Sequence, residues 1–403
     1  MNHPSSWQPF IIVSCALVIA TIGTALASPL YPIYQELWQL MPSDITLIFV
    51  SYMFGCLITL LFLGRISNTL GFVRTMQLGL CFIVVGLILS IYASNAGWLS
   101  LGRFIIGIAS GLITTAALLG LLQTAPSSHH QLAPSLSSII TALGFGMGPL
   151  VGGWIAQFAS QPLVTPYIPI VLGSVMCLFG LFWVKQPANF KPQHMSFKPK
   201  LLRPDAAHLA QFWVVAITAF CIFALFSLFA SLSPSFVKDI LPWHGPLVSG
   251  SAITAILVIS AITQFFCKRL DPVQSLRYGI CICLISICSL MLSMSLTMSS
   301  LFFVSDLLFG IGHGLALLGA FGLIYHMTES DNRAAVMSTY LFVAYLGTIV
   351  PILAVGYLAD HFGLISAVIV FCVVIGVLFL LLYFRQLKIA LFIEPHPLST
   401  KIE

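Results

Sequence analysis

The sequence predicts an all-α integral membrane protein of twelve transmembrane helices in two pseudo-symmetric halves of six. Three observations predict this: an apolar composition, twelve apolar runs of membrane-spanning length, and a repeat at one constant offset of 203 residues. Of 403 residues 59% are hydrophobic and 7% are charged, and the mean hydropathy is +1.06. Soluble domains carry about 25% charged residues, so this chain cannot present a wettable surface. In a bilayer the backbone must satisfy its own hydrogen bonds, which leaves helices or a closed barrel. The runs are continuously apolar over roughly twenty residues and lack the alternation of barrel strands.

In order, the spans read as 9–32, 44–63, 74–94, 97–121, 135–159, 167–184, 209–232, 247–267, 275–296, 299–324, 333–358 and 362–384. The first has no basic start and no small-residue cleavage site, and it outruns a signal-peptide core, so it reads as a retained helix. With a cytoplasmic N-terminus, fourteen of the sixteen Lys and Arg fall inside: Arg65, Arg74, Lys185, Lys191, Lys198, Lys200, Arg203, Lys268, Arg269, Arg277, Arg333, Arg385, Lys388 and Lys401. Lys238 alone falls outside, and Arg103 lies within the fourth span. This asymmetry orients the chain, and an even number of spans puts both termini in the cytoplasm.

The longest loop, 185–208, holds five of these basic residues together with prolines, and reads as a cytoplasmic linker lying near anionic headgroups. It divides the chain into an N-terminal six-helix half (1–184), the linker (185–208), a C-terminal half (209–384) and a cytoplasmic tail (385–403). The 203-residue offset places Arg103, Gly107 and Gly111 on Asp306, Gly310 and Gly314, and Gly144 on Gly347. It also places "GWIAQFAS" (153–160) on "GYLADHFG" (356–363), and Glu36 on Asp239. One ungapped register across several span pairs indicates duplication. Two six-helix halves in the same orientation are the parallel repeat of a transporter, with a site at their interface near the midplane.

The fifth span contains "GFGMGPLVGG" (144–153), five glycines and a proline in ten positions. On a helix, residues 144, 148 and 152 form a flat strip that lets a neighbour approach closely, and Pro149 deletes the hydrogen bond to residue 145 and bends the helix. Over essentially the whole chain these features resemble the major facilitator superfamily. The sequence "GRISNTLGFVR" (64–74) is similar to the family's motif between helices two and three, and Arg103 with Gly107 resembles its fourth-helix motif. Gly144, Gly148, Pro149, Gly152 and Gly153 match the helix-five motif of its drug:proton antiporter branches. The resemblance implies the major facilitator fold, a central cavity lined by helices one, four, seven and ten, and a helix-five seam between the halves that blocks leak on the outward side. It also implies a cytoplasmic gate at Gly64, Asn68, Gly71 and Arg74, with Asp271 and Arg277 in the second copy. The first copy departs from the motif: Asn68 stands at the expected Asp, Thr69 at the following Arg, and Phe72 and Val73 at the basic pair. A gate built on charge pairs is therefore weakened or differently built here.

A charge at the centre of a span costs about 2.5–3.5 kcal/mol on insertion scales, which singles out Arg103, Asp306 and His313. Asp306, Gly310, His313 and Gly314 lie at i, i+4, i+7 and i+8, one face of the tenth span, with Asp306 and His313 about two turns, or ~10 Å, apart. The repeat sets Arg103 opposite Asp306 and Ser110 opposite His313. Proton coupling requires a group that titrates between about pH 5 and 8; histidine does so unperturbed, and a carboxylic acid in an apolar site can reach that range. Asp306 is then either a proton site or half of an ion pair with Arg103, and His313 is either a coupling group or a hydrogen-bonded interior histidine. The cavity candidates are Thr24, Tyr31, Ser110, Phe223, Phe226, Tyr340 and Tyr345, an apolar and aromatic set suited to an amphiphilic solute, with Arg103 leaving room for an anionic group.

Competing motifs are weaker. "GIGHG" and "GFGMG" imitate nucleotide loops but lie within spans and follow no strand. His129, His130, His194 and His208 have no metal-ligand spacing, and the ten cysteines fall within spans, where they act as small apolar residues. Asp360 closes the eleventh span as a helix-end residue. The reading is a proton-coupled exporter of small amphiphilic molecules, with a proton symporter importing a metabolite as the alternative and a non-transporting sensor or membrane enzyme as the different class. No catalytic cluster or soluble domain supports that last class. The expected setting is a bacterial inner membrane, with a small-molecule substrate, protons and lipid as partners, no nucleic acid, no cofactor beyond the proton gradient, and a monomeric state.

Overall fold

The structure, a computed structural model, describes residues 7–126, 133–186, 190, 192, 194, 198, 199, 201–240, 242, 243, 245–329 and 331–390, with backbone alone at 133–138, 237–240 and 387–390. His129, His130, Lys191, Lys200 and Lys401 lie outside the described residues. Among the described residues, twelve helices are long and apolar enough to cross a bilayer. They are α1 (Gln8–Trp38), α2 (Pro42–Leu63), α3 (Phe72–Ile91), α4 (Ala96–Thr124), α5 (Ile139–Phe158), α6 (Thr165–Trp183), α7 (Ala206–Ser231), α8 (Pro246–Cys267), α9 (Pro272–Leu296), α10 (Ser299–His326), α11 (Arg333–Phe362) and α12 (Leu364–Gln386).

The expected spans agree with these to within a few residues; α1 runs furthest past its expected end, from 32 to 38. It continues because Pro29 and Pro32 fall in the first turns of successive helical segments, where a missing N–H has no cost. It stops at Gln39, which has φ +51°. Side-chain caps start other helices: Asn95 accepts from the Trp98 N–H at 3.1 Å, and Asp271 accepts from the Val273 and Gln274 N–H groups at 3.0 and 3.1 Å.

Twelve crossings put residues 7 and 390 on one face, the terminal face, and the α1–α2 and α7–α8 connections on the opposite, distal face. The halves meet along two seams, α5 on α8 and α2 on α11. The repeat is visible as contact: Gly153 abuts Pro246 across the first seam, and Gly356 abuts Ser43 across the second, each residue displaced by 203 from its counterpart.

The α5 glycines serve two neighbours, which corrects the expected assignment. The strip 144, 148, 152 faces α1 in its own half: a Cβ at Gly148 would lie 2.8 Å from the Ala25 Cβ and from the Ile22 carbonyl, and Gly152 abuts Leu26. The seam between halves uses the adjacent face, where Gly153 meets Pro246, Gly250 meets the Pro149 carbonyl, and the Thr254 hydroxyl donates to the Gly146 carbonyl at 2.7 Å. Residues 146, 149 and 153 are spaced i, i+3, i+7, a second stripe on the same helix.

Candidate functional site

The distal ends of the halves are tied together. The Ser235 hydroxyl donates to Gln35 Oε1 at 2.8 Å, the Ser43 N–H donates to Asp360 Oδ1 at 3.1 Å, and the Gln157 amide lies over Gly245. Asp360 thus holds the start of α2 in the other half, a role beyond the helix-end residue expected of it. Toward the terminal face the seams part. Ala142 and Phe145 of α5 and Ala261 and Gln264 of α8 face a cavity of about 350 Å³ instead of one another.

The cavity wall brings together Thr24 and Ser28 of α1, Tyr52 and Cys56 of α2, Arg103 of α4, Phe223 and Phe226 of α7, Ser260 of α8, His313 of α10 and Tyr345 of α11. Of the cavity candidates, Thr24, Phe223, Phe226 and Tyr345 line this space. Tyr31, Ser110 and Tyr340 do not line it. Tyr31 is fully buried edge-on to Phe49, with ring centroids 6.5 Å apart. The hydroxyl of Ser110 is 3.1 Å from that of Tyr52, which stands on the wall in front of it, and Tyr340 packs on Phe321 at 5.9 Å. The seam helices α2, α5, α8 and α11 thus supply much of the wall. Gln264, an amide within the eighth span, was the available signal for this; attention to charges alone passes it over.

Arg103 is 2% exposed. Its Nη1 donates to the Thr24 carbonyl at 2.7 Å, its guanidinium carbon lies 4.8 Å from the centre of the Tyr52 ring, and its Nε has no hydrogen-bond partner. Of the two alternatives for Asp306, the ion pair with Arg103 is not formed. Asp306 is 4% exposed, its Oδ1 has no partner, and it does not reach the cavity. The reason lies in the α10 stripe: Gly310, between Asp306 and His313, closes on Ile259 of α8, which leaves His313 as the stripe's residue on the wall.

His313 Nδ1 lies 2.8 Å from the Ser260 hydroxyl, which accepts from Gln264 Nε2 at 3.2 Å. Because Ser260 takes its acceptor bond from Gln264, its own proton is free to point at a neutral imidazole nitrogen, and its oxygen still accepts from an imidazolium N–H. Both charge states of His313 keep this bond. Phe226 and Phe309 flank the ring at 5.9 and 5.6 Å. Among the described residues, no Asp or Glu lines the cavity.

The expected gate residues are separate. Gly64 and Asn68 line a second, polar cavity of about 460 Å³ with Arg65, Thr115, Lys198, Asp331 and Ser338. At Gly71 (φ +80°) the Gln186 side chain closes over the backbone and accepts from the Val73 N–H at 3.3 Å. Arg74 is exposed, Arg277 rests against Tyr278, and Asp271 caps its own helix. The contact at Gly71 is thus made by an amide side chain and not by a charge pair.

A family model described as Major Facilitator Superfamily matches residues 13–350. The chain is 29% identical over 155 residues to the multidrug efflux protein YfmO of Bacillus subtilis (strain 168), covering 36% of this chain and 37% of that protein. It is 22% identical over 192 residues to the riboflavin transporter RibZ of Clostridioides difficile (strain 630), covering 47% and 41%. The matches thus span about 37–41% of the length of these relatives. Among solved structures, a bacterial homolog of the human lysosomal transporter Spinster, inward-facing and occupied, superposes with a TM-score of 0.70 at 14% identity, over 96% of this chain and 99% of that one.

Proposed function

Since the chain belongs to the Major Facilitator Superfamily, and is a multi-pass membrane transporter of small molecules and not an enzyme, we propose that it exports small amphiphilic molecules by alternating access in exchange for protons. The observation that carries this is the closed distal seam over an apolar cavity whose wall holds a histidine with a two-way hydroxyl partner. Coupling requires a proton site that meets opposite sides in turn. His313 reaches water in the present state. Asp306, about 10 Å further along the same stripe and behind the distal seam, reaches it when that seam opens. Arg103 supplies a fixed charge on the facing wall. The gate is assigned to Gly64 and Asn68, which line the terminal-face cavity, and to Gly71, Arg74, Asp271 and Arg277, with Gln186 held over Gly71. The distribution of Lys and Arg supports a cytoplasmic terminal face, and we assign a monomer in a bacterial inner membrane, driven by the proton gradient without a cofactor.

Proton movement in proteoliposomes with an acid interior tests this, using cationic, neutral and anionic amphiphiles against wild type, Asp306→Asn and His313→Ala. Substrate-evoked proton efflux, lost in either variant, is the expected result; normal coupling in both removes α10 from the mechanism. Proton movement in the same direction as substrate would instead support the second reading, import by symport. One observation favours that reading: with no carboxylate on the wall, substrate and proton do not compete for a common acid.

A further inference from the structure

We propose that the central cavity is an anion site, and that its ligand is a small amphiphile carrying one carboxylate or comparable acidic group, held by Arg103. The inference rests on the transport reading for its biological use, but its chemistry stands on the cavity itself. A guanidinium is a planar, delocalised cation suited to carboxylates. Within the described residues Arg103 has no carboxylate partner: a backbone carbonyl, the face of Tyr52 and the buried Tyr31 side chain are its neighbours, and its Nε makes no bond. A buried cation without a counter-ion is an expensive arrangement, and Arg103 is part of the cavity wall, where an incoming anion can supply the missing charge.

The rest of the wall completes the match. Among the described residues no acidic side chain lines the cavity to compensate a cationic ligand. Phe223, Phe226 and Tyr345 line the opposite half and offer an aromatic surface for the apolar body. A bound molecule would therefore hold its acid on the N-terminal half and its ring on the C-terminal half. On the terminal-face side, the polar cavity between α2 and α11 carries Arg65 and Lys198 against one acid, Asp331, so the approach has the same sign. The volume, about 350 Å³, lies in the range of small-ligand sites.

Calorimetric titration of the full-length protein in lipid nanodiscs, without any gradient, tests the inference with three probes of one shape: naphthalene-2-carboxylate, naphthalene-2-carboxamide and naphthalene-2-methylammonium. The carboxylate should bind at least tenfold tighter than the amide, and the ammonium more weakly than either. Arg103→Gln should erase the preference while still binding the amide; Arg103→Lys should keep part of it. Equal binding of carboxylate and amide, tightest binding of the ammonium, no binding of any probe, or an unchanged preference in Arg103→Gln would each overturn the proposal. If Arg103→Gln does not fold, the wild-type ranking and the lysine variant still decide. A neutral or cationic substrate that moves protons in liposomes would leave the transport reading standing and sink this one. Tight carboxylate binding without proton movement would do the reverse.

Discussion

Replacing Gly153 with alanine should shift the protein away from the state described here. A Cβ at this position would strike the Pro246 carbonyl oxygen, with its carbon at 2.8 Å and the Leu247 Cα at 3.3 Å. These are backbone atoms of α8, so no side chain can turn aside, and relief requires the seam to part. Overpacking of this kind costs about 1–3 kcal/mol. The contact crosses between halves, so the strain falls on the distally closed state and is absent once that face opens. At about 1.4 kcal/mol per factor of ten, the closed-to-open ratio should fall by roughly 5- to 150-fold. Double electron–electron resonance between labels at Leu37 and Leu296, exposed distal positions on opposite halves, reads the population directly in a background lacking the ten native cysteines. A longer distance should appear or grow in the variant. An unchanged distribution, with normal folding, would refute the claim that this seam sets the conformational balance.

Gly148→Ala makes the complementary case: its Cβ presses on Ala25 and Ile22 within one half, so thermal unfolding should show a loss of about 1–3 kcal/mol with the same label distances. Asp360→Ala removes the acceptor for the Ser43 N–H at the start of α2; the label pair should shift toward the longer distance, more weakly than in Gly153→Ala, by about 0.5–2 kcal/mol. Asp271→Ala strips two N–H groups of their cap and should lower stability by a similar amount while transport in liposomes stays near wild type, since the residue secures a helix and not a charge gate. Ser260→Ala leaves His313 Nδ1 without its partner and should reduce protons moved per substrate, measured as the flux ratio, more than substrate binding.

The sequence carried the spans because apolar length is a local property, and it carried the repeat because glycines at fixed spacing survive duplication. It identified Arg103 and His313 because charge in hydrocarbon is conspicuous. Orientation about a helix axis was less accessible. Gly144 and Gly153 belong to one motif, yet one meets α1 and the other α8, a distinction that depends on where neighbouring helices stand. Asp306 and His313 share a stripe, but the close approach of α8 at Gly310 separates them. Tyr52 is one aromatic among many in its span, and only the third dimension brings it over Arg103.

The lone guanidinium also has an electrical meaning. An empty cavity presents one uncompensated positive charge, and a bound monoanion cancels it. Membrane voltage, worth about 2.3 kcal/mol per elementary charge across 100 mV, would then bear on the return of the empty protein and spare the loaded crossing. Turnover would be paced by the unloaded half of the cycle, and an added positive charge on His313 would deepen that dependence, making the rate of resetting a function of the cell's energisation.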